Sequence, residues 1–151
     1  MEGNVQIAEI NIGLVKTTPN QLKKHYTQFT KMERFKLRQA VSEIDLNRIW
    51  SSKHLKHKDV VTYKFDDIKD VIHNNNIIEY NITDKGEKGY DKRVVLRGRK
   101  EIETNKGKMN LCVVVSLKNM AIVTVYYNSS EINTHKKVHM DRYNSNLRVE
   151  I

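Results

Sequence analysis

Histidine, arginine and tyrosine are the residues of this chain best suited to chemistry, and their spacing narrows what that chemistry can be. Two of the six histidine positions pair as His54-x-x-His57 and two as His135-x-x-x-His139, with no Cys or carboxylate cluster at zinc spacing beside either. Neither pair reads as a metal site, and no cofactor is expected. A Gly-x-Gly fingerprint, a Walker loop and a Gly-x-Ser-x-Gly elbow are missing from the sequence, which removes nucleotide-driven and hydrolase-fold chemistry. No strand carries the Asp and Glu-x-Lys pattern of a Mg²⁺-dependent nuclease. Cys112 lies in an apolar run, where a thiol behaves as a small hydrophobe rather than a nucleophile. What remains is proton transfer and phosphate binding. Arg93 and Arg97 share one face of an alternating strand, Thr124 and Tyr126 share a face of another, and His135 follows the last strand. Histidine is the natural acid or base near neutral pH, and arginine clamps phosphate with a planar two-pronged fork. With His57, this inventory is adequate for metal-independent RNA cleavage, which needs a base, an acid and cations around the phosphorane.

Charge supports a polyanionic partner. The 27 Lys and Arg outnumber the 18 Asp and Glu, for a formal charge of +9. The excess is concentrated in residues 16–58, with eleven bases against three acids, and in residues 85–108, with nine against four; residues 59–84 between them are acidic. Such asymmetry is the footprint of nucleic-acid binding, because neutralising phosphates releases counterions. Lys23, Lys24, Lys31 and Arg34, the connector residues Lys53 and Lys58, and Arg99 are the expected phosphate contacts, with RNA the favoured ligand. A solvated basic surface is the plain alternative. The longest apolar runs, Leu111 to Val115 and Met120 to Val125, fall far short of the roughly 20 residues of a membrane helix. The N-terminus lacks the basic and apolar regions of a signal peptide. A cytoplasmic, non-membrane protein is expected.

Elements to position these groups can be read from periodicity. Val5 to Val15 alternates as a strand with one break in phase, and Thr18-Pro19 is a helix start, with Leu22, Tyr26 and Phe29 as its apolar stripe. This places His25 on a helix surface. Thr30 with Glu33 repeats the capping signature, predicting helix to about Trp50, continuous or broken once, with Met32, Phe35, Val41, Ile44, Leu46 and Ile49 on its buried side. After the polar stretch Ser51 to Lys58, Asp66 or Asp67 caps a short helix built on Ile68, Val71 and Ile72, with Phe65 as a staple, ending at Asn74-Asn75-Asn76. Four strands follow, Ile77 to Thr83, Arg93 to Arg99, Leu111 to Leu117 and Met120 to Tyr127, joined by the turn sequences Asp84-Lys85-Gly86, Asn105-Lys106-Gly107 and Lys118-Asn119. Without βαβ spacing the class is α+β: an N-terminal strand and helices, then a short helix and a four- or five-stranded antiparallel sheet. Length and the lack of a Pro- or Gly-rich linker predict a single domain over 1–151, with residues 1–50 an N-terminal strand and basic helical part and residues 51–151 the α+β core.

The order of a basic His-containing loop, a helix with Asp-Ile-x-x-Val-Ile, then Asn-Ile-Ile-Glu-Tyr-Asn, Arg-Val-Val-Leu-Arg, Leu-Cys-Val-Val-Val-Ser and Ile-Val-Thr-Val-Tyr-Tyr-Asn resembles small phage and toxin domains of the barnase/EndoU/colicin/RelE-like ribonuclease superfamily. The resemblance covers residues 51–140. It implies a cleft lined by His57, Arg93 or Arg97, and Thr124, with His135 an addition, and a metal-independent endoribonuclease working by 2′-hydroxyl attack. The superfamily places His-Ala and then Arg residues before the short helix, whereas this chain has His54-Leu55-Lys56-His57-Lys58, which leaves open which His corresponds. The other expectation is a non-catalytic, phage-derived protein of this fold that docks a host protein or nucleic-acid complex through its basic blocks or the Asp66 to Asp70 patch.

Overall fold

The structure, a computed structural model, describes residues 22–46, 48–49, 63–84, 90–136 and 142–151. The Val5 to Val15 strand, the Thr18-Pro19 helix start and the Ser51 to Lys58 connector, with Lys53, His57 and Lys58, lie outside the described residues. Where the apolar stripe Leu22, Tyr26 and Phe29 predicts helix, the chain instead forms a short strand, β1 (Lys23–His25), and a 3₁₀ turn, Tyr26–Gln28. Tertiary pairing overrides the local pattern: β1 hydrogen-bonds along the next strand, with Lys23 opposite Asn81 and His25 opposite Glu79. The turn is closed by its own capping box between His25 and Gln28.

Helix α1 (Lys31–Ser42) starts where the capping signature places it. The Glu33 backbone N–H donates to Thr30 Oγ1 at 3.1 Å and the Thr30 N–H donates to Glu33 Oε1 at 2.9 Å, satisfying two orphan helix-start donors. Its packed stripe is Leu37, Ala40 and Val41. Met32 and Phe35, expected on that side, are 61% and 64% exposed. The helix stops at Ser42, so Ile44, Leu46 and the fully buried Ile49 reach the core from the turns beyond it.

Helix α2 (Phe65–His73) buries Ile68, Val71 and Ile72 at 3,4 spacing. Its N-cap is Lys64, which makes no side-chain cap bond, so Asp66 and Asp67 act from the first turn rather than as caps, where carboxylates offset the helix dipole. At the other end the Asn75 side-chain amide donates to the carbonyls of Val71 and Ile72.

Strands β2 (Asn75–Asp84), β3 (Tyr90–Thr104), β4 (Gly107–Ser116) and β5 (Ala121–Ser129) complete a five-stranded antiparallel sheet in the order β1-β2-β3-β4-β5. The fold is therefore α+β with an antiparallel meander. Gly107 (φ 108°) turns the β3–β4 hairpin in a conformation that suits glycine. Strand alternation sorts the side chains. One face carries Tyr80, Val94, Leu96, Leu111, Val113 and Val115 into the core with the α2 stripe. Here α2 comes so close that a Cβ on Gly98 would lie 2.7 Å from Val71 Cγ2. The opposite face carries Glu79, Arg93, Arg97, Cys112, Thr124 and Tyr126. None of the helices among the described residues is long and apolar enough to cross a membrane.

Candidate nucleic-acid interface

The second face of the sheet is built in rows. Arg97, Cys112 and Tyr126 stand side by side on β3, β4 and β5; the next row is Val95, Val114 and Thr124, and the row beyond holds Arg93 and Ser116. Arg97 is 5% exposed. Its guanidinium donates to Asn128 Oδ1 (2.6 Å), His135 Nδ1 (2.9 Å), Asn110 Oδ1 (2.8 Å) and the Ser129 carbonyl (3.0 Å). All four acceptors are neutral, and burial lowers the pKa of this side chain from its ordinary value.

These contacts define the state of His135. Because arginine only donates, Nδ1 of His135 must hold the lone pair, so in the neutral ring Nε2–H faces Tyr126 Oη, 3.0 Å away. Burial, and then the Arg97 charge, push its pKa down to about 4. His135 is thus a neutral prop for Arg97 at neutral pH, with both ring nitrogens engaged. Behind it, Thr27 N–H donates to Nδ1 of the fully buried His25, whose Nε2 lies 2.6 Å from the His135 carbonyl oxygen. The helix-surface position expected for His25 is replaced by this interior one, because β1 carries it into the sheet. Burial raises the Tyr126 phenol and pushes the Cys112 thiol up to about 12, which leaves the cysteine inert as a nucleophile.

Arg97 also forms the inner wall of a cleft of about 690 Å³ between α1, the start of β2 and the 3₁₀ turn Thr134–Lys136. Among the described residues four cations line it, Arg34, Arg38, Arg97 and Lys136, and no carboxylate does. Among the described residues none of the four is in an ion pair. Arg38 donates to Asn75 Oδ1 at 3.0 Å, and its pKa is lowered by burial and by the like charge of Arg99. The walls are completed by Tyr26, Phe29 and Phe35 and by the amides of Asn76 and Asn133. Among the described residues no group of three His, Cys, Asp or Glu side chains could hold a metal.

Of the residues singled out from the sequence, the cleft gathers Arg34 and Arg97, with His135 in contact with Arg97 and exposed Arg99 beside Arg38. Thr124 lies one row from Arg97 and does not line the cleft. Arg93 is turned to Asp91 (Nε–Oδ2 2.8 Å), a buried carboxylate that also accepts from Ser116 Oγ at 2.7 Å. Lys24 is buried against Glu33 (Nζ–Oε1 2.8 Å). Although burial opposes the charge of Glu33, Lys24 and the N–H groups of Thr30 and Val149 hold its carboxyl below the usual value. Lys31 is exposed on the first turn of α1, and Lys23 is half-buried on β1. Phe35 is expected in the core and Lys136 carries no motif, while Arg38 is marked only by lying in the basic block of residues 16–58. The i,i+4 spacing of Arg34 and Arg38 with Phe35 beside them was the available signal. The chain matches no family model, no curated protein and no solved structure.

Proposed function

We propose that this protein binds nucleic acid, with the phosphate backbone held in the cleft between α1 and the sheet. The observation that carries this reading is the convergence of Arg34, Arg38, Arg97 and Lys136 on one concavity, with no carboxylate among the described residues that line it. Like charges gathered this way repel one another, and an anionic ligand removes that cost. Two of the four are arginines from one turn of α1, suited to bidentate phosphate contact.

The experiment is a titration of a labelled RNA of about ten nucleotides across a salt series. Binding should weaken linearly in log–log form, and Arg34→Ala with Arg38→Ala should reduce the slope by about one for each phosphate no longer neutralised. An unchanged slope, or no binding at about 50 mM salt, would refute the proposal.

A second reading, cleavage of RNA by 2′-hydroxyl attack, draws on the juxtaposition of Arg97, His135 and Tyr126. In that reaction His135 would have to exchange a proton, yet its lone pair is held by Arg97 and its pKa lies near 4. Binding accounts for the cleft without breaking that hydrogen bond. Cleavage of labelled RNA in EDTA, abolished by Arg97→Lys, would reverse the preference.

A further inference from the structure

Resting on the nucleic-acid reading, we propose that the cleft takes single-stranded nucleic acid by admitting an unstacked base onto Phe35 and Tyr26, while Arg34, Arg38 and Lys136 hold the flanking phosphates. Phe35 is 64% exposed and Tyr26 half-buried, and both line the cleft with the cations. A large aromatic left in water beside arginines on a concave wall is the arrangement that stacks bases without regard to sequence. The cleft also holds amides able to meet a base edge. Asn133 Oδ1 accepts from the His135 N–H at 2.9 Å, leaving its amide N–H groups without a bond among the described residues; Asn76 makes no side-chain bond among them. In a duplex the base faces are stacked on one another, so the rings of Phe35 and Tyr26 could not stack on them, whereas base edges stay open in the grooves.

Basic groups continue past the cavity. Arg99 stands beside Arg38 outside the lining, and Lys31 lies one turn from Arg34 along α1. Cations beyond the reach of one nucleotide favour a strand over a free mononucleotide.

The test compares labelled single-stranded RNA, a blunt duplex of the same sequence and inorganic polyphosphate. The single strand should bind about tenfold more tightly than the duplex, and Phe35→Ala should remove about that factor for the single strand. Polyphosphate binding should be unchanged by Phe35→Ala, and Phe35→Trp should retain the single-strand preference. Equal affinity for duplex, or the same weakening for polyphosphate, overturns the single-strand assignment while leaving phosphate binding in place. Failure to bind any of the three overturns both.

Discussion

Arg93 and Arg97 stand on the same face of β3, four residues apart, and meet opposite surroundings. Arg93 reaches a carboxylate that is itself 1% exposed, so its charge is neutralised within the fold and ties β3 to Ser116 at the end of β4. Arg97 is held by two asparagines, a carbonyl and a neutral histidine, and lines a cleft with three more cations among the described residues. An arginine compensated by an internal acid serves stability. Arg97 is buried and oriented by fixed dipoles with no carboxylate partner among the described residues, and on the proposed reading its charge would act on an anion through the field it adds to the cleft.

Asp91 is the residue whose loss separates the two arginines most sharply. Asp91→Ala leaves Arg93 and Ser116 without their acceptor and should lower stability by about 3 kcal/mol in urea denaturation. The salt slope of RNA binding should not change, and a changed slope would show that the two ends of β3 act together.

At the other end, pH is the lever. The folded pKa of His135 lies near 4, below its ordinary 6.5, so the unfolded chain takes up a proton first as pH falls. The contribution of His135 is fully present above pH 6.5 and is lost between 6.5 and about 4. Denaturation midpoints measured across this window should fall less steeply for His135→Ala than for the wild type, and parallel curves would count against the Arg97–His135 geometry.

The smallest stability effect belongs to the cleft rim. Arg34→Ala should shift stability by no more than about 0.5 kcal/mol, as for exposed positions without a partner, while reducing affinity and salt slope. That is the reverse of the outcome expected for Asp91→Ala and would separate the proposed binding role from the structural one.

Much of the fold was legible. Thr30 and Glu33 mark the start of α1 because a hydroxyl and a carboxylate three residues apart satisfy each other's backbone donors. Alternation located β2 to β5 to within a few residues, since a strand with one buried face must repeat every second position. Helical spacing of Leu22, Tyr26 and Phe29 misled, because pairing with β2 satisfied the backbone of residues 23–25 instead. Met32 and Phe35 misled for a related reason: a hydrophobic type does not say whether a neighbour exists to cover it, and Phe35 lines an open cleft.

Short-range periodicity in the amino-acid order was enough to specify the α+β class, the antiparallel meander and the placing of Arg93 and Arg97 on one strand face. Three properties emerged only on folding: which arginine meets an acid, the neutral His135 with both ring nitrogens occupied, and the cleft shared by Arg34, Arg38, Arg97 and Lys136. Charge state and convergence depend on burial and on through-space neighbours from distant segments, and no local spacing rule contains them.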